Sequence, residues 1–138
     1  MNGKSFVDSN VIVYGYSRFE TAKREKALSI VSEPEAATSI QVLNEFSNVM
    51  RKKFKEPHGT IRLALEEIIA GLEIYSFDAS TIQSALDIGE STGYSHYDSL
   101  ILATALQNDC TTLYSEDFQD GQLINGTLRI VNPFNEVT

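Results

Sequence analysis

One cysteine and two histidines are all that this chain of 138 residues has for binding metal through sulfur or nitrogen. A single cysteine, Cys110, excludes a disulfide within the chain and a thiolate metal site. Its position beside the apolar segment 111–114 predicts a small buried residue. His58 and His96 lie far apart without ligand spacing, so we do not expect a histidine-bound zinc. Any metal ion would be held by oxygen, which favours a hard cation such as Mg²⁺ or Mn²⁺.

Long apolar runs and low-complexity segments are also missing. The longest apolar stretch, residues 100–106, is far shorter than the ~20 residues needed to span a bilayer. Residues 1–16 lack a basic leader and contain Asp8 within their apolar part, which argues against a signal peptide. We therefore expect a cytoplasmic protein. No segment rich in Pro, Gly or Ser divides the chain, so a single domain over residues 1–138 is predicted.

Basic residues are scarce in one part of the chain. Residues 63–138 contain one basic residue, Arg129, against twelve acidic ones, whereas residues 1–62 contain ten basic and seven acidic residues. The net charge of −8 therefore combines two segments of opposite sign, which indicates two different surfaces. The alternative is that solvated helix faces simply differ in sign. A total charge does not show where a phosphate backbone binds.

Short apolar segments alternate with longer helical ones, which predicts an α/β fold with a largely parallel sheet. In such a sheet, sites form at the carboxyl ends of strands, near a switch in strand order. Polar residues directly after strands are therefore the candidates for function. Strands are predicted at 3–7, 36–38, 72–77, 111–114 and 128–131. Helices are predicted from Ser9 onward, at 20–31, from Ser39 to about 54, at 57–70, from Asp78 or Ser80 to about 90, and from Ser95 to Gln107.

Two acidic residues in the first half of the chain meet this criterion. Asp8 ends the first strand, and Asn10 offers a second polar group in the same region; the alternative is that Asp8 only caps the next helix. Glu45 projects ~40° from Val49 and ~60° from Val42, at the margin of an apolar helix face. The alternative for Glu45 is that its aliphatic stem lies along the rim of the core.

Further acids occur in the second half. Asp98 lies in the first turn of a helix that is apolar nearly all round, a costly place for an unpartnered charge. The alternative is a capping box with Ser95. Glu116, Asp117 and Asp120 follow the strand 111–114, and either a cation or plain exposure to water offsets their repulsion.

One shared metal site explains all of these acids together. Carboxylates that hold hard cations support phosphodiester hydrolysis, because the cation lowers the pKa of water and neutralises charge on the phosphate. No protein nucleophile is then required. The chain accordingly offers no Ser-His pair, no G-x-S-x-G motif and no candidate Cys-His dyad.

Four segments resemble the motifs of the PIN domain family. They are Phe-Val-Asp-Ser-Asn-Val-Ile-Val-Tyr at 6–14, Gln-Val-Leu-Asn-Glu-Phe at 41–46, Tyr-Asp-Ser-Leu-Ile-Leu-Ala-Thr-Ala at 97–105 and Leu-Tyr-Ser-Glu-Asp at 113–117. Their order, spacing and length are similar to those of VapC-type toxins over essentially the whole chain.

The resemblance implies a three-layer α/β/α fold and a Mg²⁺- or Mn²⁺-dependent endoribonuclease, the toxin of a type II toxin–antitoxin system. It also implies a homodimer and inhibition by a cognate antitoxin. By this resemblance Asp8, Glu45 and Asp98 are the core catalytic metal ligands and Asp117 is the fourth acid. Asp120 is a further candidate ligand, because the stretch Ser-Glu-Asp-x-x-Asp-Gly-Gln is similar to one branch of the family. Asn10 and Ser115 would be additional polar contacts.

A basic cluster, Arg51, Lys52, Lys53 and Lys55, ends the helix that carries Glu45. At 1.5 Å per residue these four residues lie ~9–15 Å along the helix from Glu45. Phosphates several nucleotides from the cleaved bond can reach them. We therefore predict that Arg51, Lys52 and Lys53 help to bind RNA. The alternative is that these cations only complement the negative end of the helix.

Three other functions compete with the nuclease. A PIN-like module could bind RNA or a protein without cutting, although the complete acid set argues against this. A phosphotransfer domain also has an Asp after its first strand, but phosphatases of this kind need a second Asp where Asn10 stands. Receiver domains need a Lys after a late strand, and no Lys follows Lys55. A purely structural α/β module leaves the acids unexplained.

Overall fold

The computed structural model describes residues 3–135, and these form six strands and six helices. In chain order they are β1 (Lys4–Val7), α1 (Ser9–Tyr14), α2 (Thr21–Val31), β2 (Ala36–Ser39), α3 (Ile40–Lys52), α4 (His58–Gly71), β3 (Glu73–Tyr75), α5 (Ala79–Thr92), α6 (His96–Gln107), β4 (Cys110–Tyr114), β5 (Leu123–Ile124) and β6 (Leu128–Val131). The predicted alternation of strands and helices is confirmed.

The strands form one sheet in the order β3-β2-β1-β4-β6-β5. All neighbours are parallel except β5 and β6. The connections from β1 to β2 and from β2 to β3 each place the next strand one position further toward the same edge of the sheet. The connection from β3 to β4 returns across the sheet and places β4 on the other side of β1. Because parallel crossovers are right-handed, α1–α4 cover one face and α5 and α6 cover the other. This confirms the predicted three-layer α/β/α fold with a short, mainly parallel sheet.

The core is built from strand side chains and the inner faces of the helices. Leu113 of β4 is fully buried, and Cys110 is buried as predicted. On α6 all seven residues of 99–105 are buried, as its apolar sequence predicts. Gly89 of α5 allows α6 to pack closely, since a Cβ there would lie 3.1 Å from the Ser99 hydroxyl. Within residues 3–135, no helix is long and apolar enough to cross a membrane.

Some element ends differ from the prediction. β3 is shorter than the predicted 72–77, because Leu72 is the C-cap of α4 and Asp78 is the N-cap of α5. α5 extends to Thr92 and ends at Gly93, whose φ of 82° is a left-handed conformation that glycine adopts without strain. β5 was not predicted, because two residues are too few to show an alternating pattern.

The strand order changes direction at β1, which lies between β2 and β4. At this switch point the Asp8 amide donates to the Tyr114 carbonyl over 3.0 Å. α1 and α3 begin at the same edge, directly after β1 and β2. α6 also begins there, because it runs back across the sheet before β4 starts. The topology therefore brings four separate segments to the carboxyl ends of β1 and β4, where ligand sites form in such sheets.

Candidate active site

Asp8 lies directly after β1 and is 3% exposed. One carboxylate oxygen, Oδ1, accepts a 2.7 Å hydrogen bond from the Ser9 amide and so caps α1. The other, Oδ2, accepts a 2.7 Å bond from the Ser115 hydroxyl. Burial raises the pKa of Asp8 to about 7 against the effect of these two bonds, and the charges of Glu45 and Asp117 raise it further. The capping alternative is thus observed, and it occupies one oxygen only.

Asn10 and Ser115 connect Asp8 to the loop after β4. The side-chain amide nitrogen of Asn10 lies 3.1 Å from Asp117 Oδ2, 3.2 Å from Ser115 Oγ and 3.4 Å from Asp8 Oδ2. Its carbonyl oxygen accepts a bond from the Glu116 amide, and Ser115 Oγ accepts one from the Asp117 amide. These bonds hold the exposed Asp117 side chain beside the buried Asp8.

Glu45 is half-buried in the second turn of α3, as its position at the margin of the apolar face predicts. Its carboxylate accepts a 3.3 Å bond from the Ser9 hydroxyl and a 3.2 Å bond from the side-chain amide of Gln41. Burial raises the pKa of Glu45 in spite of these bonds, and the charges of Asp98 and Asp117 raise it further.

Asp98 lies in the first turn of α6 and is half-buried. Its backbone amide donates to the Ser95 hydroxyl, which caps the helix. The reverse bond of a capping box, from the Ser95 amide to the Asp98 carboxylate, is not among the hydrogen bonds of residues 3–135. Burial raises the pKa of Asp98, a bond from Ser95 lowers it, and the charge of Asp117 raises it again. The Asp98 carboxylate therefore interacts with the side chain of the helix cap as well as with the charge of Asp117.

The four carboxylates are close enough for their charges to interact. The negative charge of Asp117 raises the pKa of Asp8, Glu45 and Asp98, and Glu45 interacts with both other acids. In the described part of the chain, however, no three Asp, Glu, His or Cys side chains form a compact metal-binding group. The donor set consists of oxygen atoms, which suits a hard cation.

The structure does not bring the other two loop acids into this group. Both carboxylate oxygens of Asp120 bond to the C-terminal segment, one to the Asn132 amide at 2.7 Å and the other to the Asn135 side chain at 2.6 Å. Glu116 turns to the opposite side and accepts a 2.9 Å bond from the Tyr14 hydroxyl. Of the three competing loop acids, Asp117 alone points toward Asp8.

The predicted RNA-binding residues lie outside the acidic group. Arg51, Lys52 and Lys53 are exposed at the end of α3, and the Arg51 guanidinium donates to the Glu56 carbonyl. A cleft of about 450 Å³ between α1, α2 and α4, lined largely by apolar side chains such as Ile12 and Leu28, is also separate from the carboxylates. None of the candidate site residues lines this cleft.

Sequence reasoning missed two side chains that contact the site, Ser9 and Gln41. Gln41 precedes Glu45 by four residues and so shares its helix face, a spacing that could have revealed it. Nothing in the sequence distinguishes Ser9 from an ordinary residue of the first helical turn. Gln41 Oε1 is buried and has no hydrogen-bond partner in the structure.

The model of the PIN domain family matches residues 5–119 of the chain. The chain matches no curated protein sequence. Similar solved structures include a toxin–antitoxin complex from Klebsiella pneumoniae, with a TM-score of 0.70 at 20% identity, covering 94% of this chain and 98% of that one. FitAcB from Neisseria gonorrhoeae gives a TM-score of 0.65 at 19% identity, covering 95% and 99% of the two chains.

A third similar structure is VapC20 from Mycobacterium tuberculosis, described as a Sarcin-Ricin loop cleaving toxin. Its TM-score is 0.65 at 16% identity, and 83% of this chain and 90% of that chain are covered. At identities this low, the structural comparisons show a shared fold. The match to the family model is independent of them and covers most of the chain.

Proposed function

The chain belongs to the PIN domain family, and we propose that it is a divalent-metal-dependent endoribonuclease, the toxin of a type II toxin–antitoxin system. The observation that carries this proposal is the meeting of Asp8, Glu45, Asp98 and Asp117 at the carboxyl ends of β1 and β4. These acids come from four separate segments, and a helix cap or a solvated surface explains none of the cross-segment contacts.

Asp8, Glu45, Asp98 and Asp117 would hold the cation, Mg²⁺ or Mn²⁺. When bound, the cation supplies an activated water and neutralises charge on the phosphate. The chain's own side chains orient the ligands: Ser115 and Asn10 fix Asp8 and Asp117, while Ser9 and Gln41 fix Glu45. Partners of this kind typically change metal affinity or activity by about 10–100-fold when removed.

We further propose that a cognate antitoxin protein binds and inhibits this chain, and that the chain forms a homodimer. Support for the antitoxin comes from the structural relatives, several of which are toxin–antitoxin complexes: FitAB bound to a DNA fragment, VapBC2 from Rickettsia felis and VapBC from Salmonella typhimurium. Their similarity to this chain is one of fold. Co-purification of the chain with the product of an adjacent short reading frame would test the antitoxin directly.

Cleavage assays on structured RNAs, including transfer RNA and ribosomal RNA fragments, test the nuclease. We expect cleavage in Mg²⁺ or Mn²⁺, none in a chelator, and none in Asp8→Asn, Glu45→Gln or Asp98→Asn. The control is Asp87→Asn, which removes an exposed carboxylate of α5 and should leave cleavage unchanged. Chelator-resistant cleavage would contradict metal dependence. RNA binding without any cleavage would instead support the silent binding module.

A further inference from the structure

An exposed aromatic residue lies next to the acidic group. Tyr97 precedes Asp98 in the first turn of α6 and is 69% exposed. The His96 ring lies beside it, with 5.7 Å between the ring centroids. A large side chain left this open to water at a helix start contributes little to the core, so packing within the chain does not account for it.

The backbone of Tyr97 is tied to the site. The side-chain amide of Gln41 donates to the Tyr97 carbonyl over 2.9 Å and to Glu45 Oε1 over 3.2 Å. One side chain thus bridges the tyrosine and a proposed metal ligand. Asp98 follows directly, so the Tyr97 backbone adjoins one proposed metal ligand in the sequence and is tied to a second through Gln41.

No cationic side chain bonds to this region. Among residues 3–135, none of the hydrogen bonds or ion pairs of Asp8, Glu45, Asp98 and Asp117 involves a Lys or Arg. The single basic residue of the second half, Arg129, donates to the Gly121 carbonyl in the loop that precedes β5. An exposed aromatic side chain next to this region offers RNA binding energy that does not depend on a cation.

We propose that Tyr97 is a binding subsite for an unpaired nucleobase of single-stranded RNA, placed next to the carboxylate site. Aromatic side chains stack on bases whatever their sequence, and such stacking needs no positive charge. An unstacked base is available in loops and single strands but not inside a duplex. This inference rests on the proposed nuclease function and assigns base binding within it to one side chain, Tyr97.

Fluorescence can test the stacking itself. The chain has no tryptophan, so Tyr97→Trp introduces a single tryptophan at the subsite, whose emission can be excited selectively over that of the remaining tyrosines. With chelator present to prevent cleavage, we expect a single-stranded oligoribonucleotide to quench this emission and an oligonucleotide of the same length with abasic sugars to leave it unchanged. Leu86→Trp, on the exposed face of α5, is the control and should show no quenching. Equal quenching by the abasic strand, or none by either, would overturn the inference.

Substitutions then measure the contribution to binding. Tyr97→Ala should weaken binding of the same oligoribonucleotide about tenfold, while Tyr97→Phe should bind as the wild type does and Leu86→Ala should have no effect. Full RNA binding by Tyr97→Ala would refute the base subsite. Normal RNA binding by Tyr97→Ala together with loss of antitoxin binding would refute it as well. If the wild type never cleaves RNA but Tyr97→Ala still loses binding, the nuclease fails and the base subsite stands.

Discussion

At the scale of single residues, the energetic cost of burying charge is concentrated at Asp8. This carboxylate is nearly inaccessible to water, lies near two other acids and receives hydrogen bonds from Ser9 and Ser115. Those bonds reduce the cost of burial but do not cancel it, since the pKa of Asp8 remains raised to about 7. A residue retained at such a cost needs a reason outside stability, and metal binding supplies one.

We expect Asp8→Asn to stabilise the metal-free protein at pH 8 more than at pH 5. The folded-state pKa of Asp8, about 7, lies above the ordinary value of 3.8. Its contribution to stability is therefore greatest below pH 3.8 and is lost as the pH rises through 7. The asparagine does not titrate, so its advantage should grow by about 2–3 kcal/mol between pH 5 and 8. Urea unfolding of both proteins in chelator measures this, and parallel pH profiles would rule it out.

At the scale of elements, the loop after β4 contains one acid that we propose as a metal ligand, Asp117, and two acids that hold the loop in place, Glu116 and Asp120. Lys23 of α2 lies over the Tyr14 ring at 4.7 Å and 4.0 Å from Glu116, while Tyr14 packs edge-on against Phe134 at 4.8 Å. Asp120 fastens the other end of the loop to the C-terminal segment. The acids on either side of Asp117 along the chain therefore hold the loop in place, whereas the Asp117 carboxylate accepts its bond from Asn10 beside Asp8.

Single substitutions in this loop should have separable effects. We expect Asp117→Asn to weaken Mn²⁺ binding about 10–100-fold, the scale of site-residue substitutions, because it removes a charge that acts on the other three acids. Asp120→Ala should leave Mn²⁺ affinity unchanged but lower the melting temperature, because it removes two hydrogen bonds. Glu116→Gln should change affinity little. Calorimetric Mn²⁺ titration and thermal melts measure both properties, and loss of Mn²⁺ binding in Asp120→Ala with normal binding in Asp117→Asn would reverse the assignment.

The sequence allowed the elements and the acid positions to be predicted, because strand ends and helix faces follow from short-range patterns. It did not separate Asp117 from Asp120, since the partners of Asp120 are Asn132 and Asn135, which only tertiary packing brings near. Gln41 was detectable in principle from helix spacing, whereas Ser9 depends on how α1 packs against α3. Side-chain contacts between residues far apart in the sequence could therefore not be predicted.

At the scale of the whole molecule, the uneven charge distribution limits where RNA can bind. The carboxylate site takes two acids from each part of the chain, Asp8 and Glu45 from residues 1–62 and Asp98 and Asp117 from residues 63–138, whereas ten of the eleven basic residues lie in 1–62. We therefore expect long-range attraction to phosphate to come from residues 1–62.

We expect the double variant Lys52→Ala with Lys53→Ala to weaken RNA binding and to flatten its salt dependence. Each lost phosphate contact should reduce the slope of log affinity against log salt by about one unit. Binding measured from 50 to 200 mM salt gives this slope, and a thermal melt reports any loss of helix stability. A lower melting temperature with an unchanged slope would mean that the cluster only supports α3, and the RNA path should then be sought at Arg18, Lys23, Arg24 and Lys26.

The order of the strands also determines when the carboxylate site can form during translation. Asp8 is translated more than a hundred residues before its hydrogen-bonding partners Tyr114 and Ser115. β1 can pair with β4 only after β4 has been translated. The proposed catalytic group is therefore incomplete until the segment that contains Asp117 has been made. A chain interrupted before β4 would lack Ser115 and Asp117, and we expect it to have no activity.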